Sequence, residues 1–311
     1  MRLIIVLFLL TLLCTFTLQA AGPADTSTVR FDRLSIEHGL SQTAVNSIVQ
    51  DHQGFLWFAT EDGLNRYDGY SFKVFRHNPD DVKTISHNNI NILYVDSNGI
   101  LWIGTRGGGL NRYNADTEQF IHYQYHNDDN NSLTHNSVWA IVEESPGELW
   151  IGTLGGLNHF DQASGQLVRY QHNSQNPNSL SNNAVRSLFK DQQNQLWVGT
   201  LGGGLNRFNP QSQTFSHYRY NAANADSLSH DYVYAIEQDN QGLLWLGTPN
   251  GLNRFDSNQA HFTVFNHQPS EPGSLSLDNV RSLFKDREGT LWVGTNGGGL
   301  NRFHPNSGTF S

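Results

Sequence analysis

Positive charge is sparse in this chain and cysteine is all but missing. Nineteen lysines and arginines stand against 28 acidic residues, a formal net charge of -9, and no basic run concentrates positive potential anywhere. Nucleic acid is therefore excluded as an expected partner, because binding a phosphate backbone needs such a concentration. The one cysteine, Cys14, lies in the apolar N-terminal stretch. No disulfide framework can form in the remainder, and stability must come from packing. Charged residues make up only 15% of the chain, and no second apolar segment of membrane length follows the first. Membrane attachment is expected only through that first segment or through C-terminal parts outside this chain.

The opening Met1-Arg2 followed by LIIVLFLLTLLCTFTLQA, with small residues at Ala20 and Ala21, has the pattern of a signal peptide. Its apolar run is shorter than the roughly 20 residues of a membrane span. Residues 1–20 are read as a cleaved signal, 21–30 as a linker, and the location as periplasmic or extracytoplasmic; a retained anchor is the alternative. Leu13 precedes Cys14 where a lipoprotein signal needs a small side chain, so lipidation is not expected.

What the chain has in abundance is repetition. FLWFAT, LWIGT, LWIGT, LWVGT, LWLGT and LWVGT place Trp57, Trp102, Trp150, Trp197, Trp245 and Trp292 at spacings of 45, 48, 47, 48 and 47 residues. Each unit divides into four strand-like pieces, as in AVRSLFKD, QLWVGT, LNRFNP and TFSHYRY, separated by D-x-x-G and glycine turns. These turns supply the positive φ of tight hairpins. Four strands per unit is the blade of a propeller. The predicted fold is all-β: a β-propeller of four-stranded antiparallel blades over residues 31–311, with six blade repeats. The second strand is apolar on both faces, as burial between two blades requires. The glycine after Leu-Trp-x, such as Gly104 or Gly199, is expected to leave room for an aromatic ring of the adjoining blade.

The segment Phe31-Asp32-Arg33-Leu34-Ser35-Ile36 resembles the outer-strand pieces FIHYQY and FSHYRY, while the chain ends at Gly308-Thr309-Phe310-Ser311, where the sixth outer strand should start. The N-terminal piece is thus able to fill that place and close a six-bladed ring, removing exposed edges. The alternative is a sequence cut within a repeat. Blades two, four and six share the long turn GT-x-GGGLNR, which points to duplication of a blade pair.

FDRLSIEHGLSQTAVNSIVQDHQGFLWFATEDGLNRYDG, followed by the recurring N-x-V-x-x-L-x-x-D-x-x-G-x-LW-x-GT-x-x-GL-N-R-F, resembles the two-component regulator propeller family. The resemblance implies the extracytoplasmic sensor part of a bacterial signalling protein, an output domain such as a histidine kinase or diguanylate cyclase outside this chain, and a possible dimer in the parent. It also implies rings that are usually seven-bladed, so the chain reads as an N-terminal fragment.

Comparing the copies with one another isolates one variable position in the innermost strand: Asn46, Asn91, Trp139, Arg186, Tyr234 and Arg281. These six should ring one mouth of the channel. Aromatic and guanidinium groups mixed with amides suit a polar organic ligand. The competing reading is that they fill the mouth, bridge blades or hold water. Glu61, Arg106, Asn250 and Asn296, in the turns after the second strand, form a second tier on the same face. Arg66, Arg112, Arg207, Arg254 and Arg302, replaced by His159 in blade three, are expected to hold a carboxylate or an aromatic face of the next blade. No cofactor is expected and no metal: D-x-x-G offers too few oxygen ligands for a calcium loop, and His77, His126 and His172 lack zinc spacing.

The function these readings favour is ligand sensing, with an external small molecule or oligosaccharide as partner, carbohydrate being favoured by the family resemblance alone. The alternatives are a propeller hydrolase or lyase acting on carbohydrate, and a protein-binding scaffold. No catalytic residue is assigned, because the acidic residues mostly fall at turn positions shared by several blades.

Overall fold

Each repeat becomes one sheet because its turn chemistry closes three successive hairpins. The computed structural model describes residues 32–311. The signal segment, the linker and Phe31 lie outside the described residues. Twenty-four strands form six four-stranded antiparallel sheets, each running in sequence order from the channel to the rim. The innermost strands are Val45–Gln50, Ile90–Val95, Val138–Ser145, Val185–Lys190, Ala235–Gln238 and Val280–Lys285. Consecutive innermost strands pack on one another.

The D-x-x-G turn fixes the tryptophan that follows it. Asp51 accepts the backbone N–H groups of Gln53 and Phe55 on Oδ1, and the indole N–H of Trp57 on Oδ2 at 2.7 Å. The same indole bond recurs at Asp96–Trp102, Asp191–Trp197, Asp239–Trp245 and Asp286–Trp292, at 2.8 to 2.9 Å. In blade three Glu144 takes the place of the aspartate and reaches Trp150 at 2.7 Å. The turn closes on a positive φ, 92° at Gly54; blade four uses Asn194 there, at 61°. Asparagine is among the few residues that tolerate this region.

Each tryptophan then receives an aromatic ring from the next blade. Trp57 meets Tyr113, Trp102 meets Phe160, Trp150 meets Phe208, Trp197 meets Phe255 and Trp245 meets Phe303, with centroids 4.7 to 6.1 Å apart. The glycine after Leu-Trp-x has a different neighbour from the one expected. A Cβ at Gly104, Gly152 or Gly247 would lie 2.6 to 2.8 Å from a methyl of Val138, Val185 or Val280. The space is kept for the valine that opens the next innermost strand, and the ring packs on the tryptophan instead.

A second device holds the connections between blades. The buried asparagine of each LNR or LNH segment accepts a backbone N–H from the preceding connection. The pairs are Asn65 with Ser41, Asn111 with Ser86, Asn158 with Thr134, Asn206 with Ser181, Asn253 with Ser229 and Asn301 with Ser276, all at 2.9 Å. His77 and His172 place Nδ1 against the carbonyls of Ile85 and Leu180, which makes them parts of the same connections. His126 contributes its backbone N–H to Ser132 Oγ.

Closure differs from the expectation. The outer place in blade six is taken by Thr309–Phe310, which pairs with Gly299–His304, and residues 32–36 belong to no strand. The blade-to-blade packing repeated five times along the chain is not made between blade six and blade one. Among the described residues Trp292 meets no ring of another blade, and Gly294 faces only its own blade's Ser282 where a next-blade valine would stand. Leu300 is 52% exposed where its counterparts Leu110 and Leu205 are fully buried, and Ile48 and Phe284 are also exposed.

Two outcomes follow from this packing. Leu205→Ala should cost about 2–5 kcal/mol, as a cavity in a closed interface does, while Leu300→Ala at the same repeat position should cost less than about 1 kcal/mol, both by urea unfolding. At Asp286 the indole N–H of Trp292, helped by the backbone N–H groups of Thr290 and Glu288, holds the carboxyl below its ordinary range. A carboxylate depressed on folding adds stability above its unfolded pKa of about 4, lost as pH falls through the folded value. The stability gap between wild type and Trp292→Phe should therefore shrink between pH 6 and pH 3; a gap unchanged with pH would refute this linkage.

Candidate functional site at the channel mouth

Five of the six variable residues share a backbone peculiarity. Val45 pairs with Thr60 and Ser47 with Ala59, so Asn46 is an extra residue in the innermost strand, a β-bulge. The register skips Asn91, Trp139, Arg186 and Arg281 in the same way. In blade five Tyr234 directly precedes the strand, its N–H bonded to Gly247 O at 2.8 Å. A bulge bends the strand and re-aims the side chain of its extra residue. The valine or isoleucine before it is thereby free to enter the blade interface.

The re-aimed side chains divide by role. Asn46 donates its amide to Ile90 O at 2.8 Å and Asn91 to Val138 O at 3.0 Å, each tying its blade to the next innermost strand. These two bridge blades, which is the competing role foreseen for the position. On the other side of the channel the bulge residues meet in pairs. The guanidinium of Arg186 lies 4.8 Å from the Trp139 ring and that of Arg281 lies 4.1 Å from the Tyr234 ring. Both are cation–π contacts between adjacent blades.

Arg186 is half-buried, and its burial pulls its pKa below the ordinary arginine value; repulsion from Arg281 adds to this and Tyr234 opposes it. Among the described residues neither guanidinium makes an ion pair within 4.0 Å. The indole N–H of Trp139 is buried without a hydrogen-bond partner. Tyr232, which sequence comparison passed over, extends the aromatic surface. It is 41% exposed, and its ring lies 6.4 Å from Tyr234 and 4.8 Å from His230. Its signal in the sequence was an aromatic residue directly before the valine, where other blades carry Ala, Asn or Ser.

The second tier sits on the same face. Arg106 N bonds Asn89 O and Asn296 N bonds Asn279 O, so these turns lie beside the entries to the innermost strands. Their side chains and those of Glu61 and Asn250 are exposed. The third-strand arginines are structural in a way that differs in part from the expectation. Arg66, Arg207 and Arg254 lie 5.6 to 5.9 Å from the tryptophan of their own blade, and His159 packs on Trp150. Among the described residues only Arg66 adds a carboxylate of the next blade, Glu118 at 3.3 Å, while Arg112 and Arg302 make neither an ion pair nor a cation–π contact.

Comparison with known proteins agrees with this architecture. The two component regulator propeller model matches at 39–62, 84–107, 132–155, 179–202, 227–250 and 274–297. The extracellular domain of BT3049 from B. thetaiotaomicron, described as a hybrid two component system, is 29% identical with a TM-score of 0.69; the match covers 87% of this chain and 41% of that one. The extracellular domain of BT4673 from the same organism is 26% identical with a TM-score of 0.68, over 86% of this chain and 36% of that one. Histidine kinase P4 of Formosa agariphila is 46% identical over 63 residues, 20% of this chain and 5% of that protein. The chain thus spans less than half the length of these relatives. Virginiamycin B lyase from Staphylococcus aureus, 15% identical with a TM-score of 0.62 over 86% of this chain and 83% of its own, shares the fold alone.

The two kinds of bulge residue should separate in a stability assay. Asn91→Ala leaves Val138 O without its partner and should cost about 1–3 kcal/mol. Arg281→Gln, at an exposed side chain, should change stability by less than about 0.5–1 kcal/mol, measured by urea unfolding of both variants.

Proposed function

This chain is a two-component regulator propeller, and on that premise we propose that it is the extracytoplasmic ligand-sensing part of a bacterial signal-transduction protein. The ligand is a small molecule or glycan received at the channel mouth. What supports this reading is the pair of cation–π contacts, Trp139 with Arg186 and Tyr234 with Arg281, at the positions where blades one and two carry the stitching amides Asn46 and Asn91. A stitch needs only an amide and a carbonyl. Large rings and guanidinium groups at the same backbone position add contact surface and donors that blade packing does not require.

Extracellular domains among the solved relatives support export, in keeping with the signal-like N-terminus. Transmission is proposed to run through an output domain of the parent protein, and no catalytic step is assigned to the propeller. The lyase likeness rests on fold alone and adds no chemistry.

The test is a thermal-shift screen of residues 21–311 against neutral and acidic oligosaccharides. A ligand at 100 times its Kd should stabilise the fold by about 2.7 kcal/mol. The shift should vanish in Trp139→Ala and Tyr234→Ala, each measured against its own ligand-free Tm. A shift that survives both substitutions would put the ligand elsewhere and defeat the reading.

A further inference from the structure

Resting on that reading, we infer that the ligand is anionic: the mouth takes an acidic saccharide whose carboxylate or sulfate group is held by Arg186 and Arg281. The argument begins with what the two aromatic rings do. Trp139 and Tyr234 each carry a guanidinium at 4.8 and 4.1 Å, so at least one ring face is covered by an arginine. Their main service is to hold two planar forks of N–H donors in fixed orientation.

Those forks have no counter-charge. Arg66 and Arg76, by contrast, pair with Glu118 and Asp62, and Arg169 donates to the carbonyls of Asp129, Ser132 and Leu133. The charged and titratable groups that act on Arg186 are Arg281 and Tyr234, with no carboxylate among them. Two guanidinium groups, each stacked on a ring and neither paired with a carboxylate, are free to share an anion, which offsets their mutual repulsion. The chain carries a net charge of -9, so local cation clustering here runs against its overall balance. A guanidinium fork matches a carboxylate or sulfate oxygen pair in geometry as well as charge. The indole N–H of Trp139, on the ring that stacks with Arg186, is buried and unpartnered.

Isothermal titration tests this with three probes: trigalacturonate, its fully methyl-esterified form, and a sulfated galactose trisaccharide, each at 50 and 300 mM NaCl. The acidic probe should bind, its ester should bind at least about 10-fold more weakly, and affinity should fall with salt. Arg281→Gln and Arg186→Gln should each weaken acidic binding about 10- to 100-fold, the range of a hydrogen bond to a charged group, with Arg281→Lys in between because it keeps the charge and loses the fork. Preference for trigalacturonate assigns a carboxylate and preference for the sulfated probe a sulfate. Equal binding of acid and ester, insensitive to both arginine variants but lost in Trp139→Ala, would overturn the anion assignment and leave the channel-mouth reading standing. Acidic binding retained in the Arg186→Gln, Arg281→Gln double variant would overturn it too, as would no binding by any probe; Arg281→Gln, at an exposed position, keeps the fold through these comparisons.

Discussion

The hydrogen bond from the indole of each second-strand tryptophan to the acidic residue six positions before it sets the geometry on which everything else rests. A buried indole N–H without an acceptor is costly, so the acidic residue of the hairpin turn and the ring of the second strand must be placed together. That bond orients the ring edge-on to the turn and leaves its face for the aromatic side chain of the following blade. Blade interfaces are therefore built from one local hairpin and one incoming ring, repeated. Glu144 in blade three shows that the requirement is for a carboxylate at that distance, since the longer side chain reaches Trp150 from an altered turn.

At the other end of the blades, the LNR and LNH asparagines clamp the connections that lead into the innermost strands. The two devices act at opposite faces: the acidic turn on one, the asparagine clamp on the face where the channel mouth opens. Because the clamp fixes where each connection ends, the variable residue that follows falls at the same repeat position in every blade, in a bulge in all but blade five. Variation in one residue type is then read out as variation around a single opening, which is how a repeat can carry a non-repeating site.

Much of the fold was legible in the sequence, because turn glycines, tryptophan spacing and two-sided apolar strands are local signals. The face on which the six variable residues lie was legible too, from the position of the connections. The bulge was not, since it is a mismatch of register between two strands and leaves no mark in either one alone. Nor was the partner of the Leu-Trp-x-Gly glycine. Small size announces a close neighbour, but whether it is valine or an aromatic ring depends on the next blade's placement. Two ways of completing blade six were open in the sequence, and at its edge Thr309 and Phe310, covalently next to the strand they pair with, take the place at little entropic cost, while residues 32–36 belong to no strand.

The open flank between blades six and one bears on the site as well. Arg281 belongs to the blade on that flank and is exposed, while Arg186, two blades inside, is half-buried. The pair is thus asymmetric in exposure, although each guanidinium stacks on one ring of the preceding blade. The anion site proposed above depends on the stacked rings to orient its two guanidinium groups, and those rings are placed by the same blade packing that the tryptophan–carboxylate bond sets.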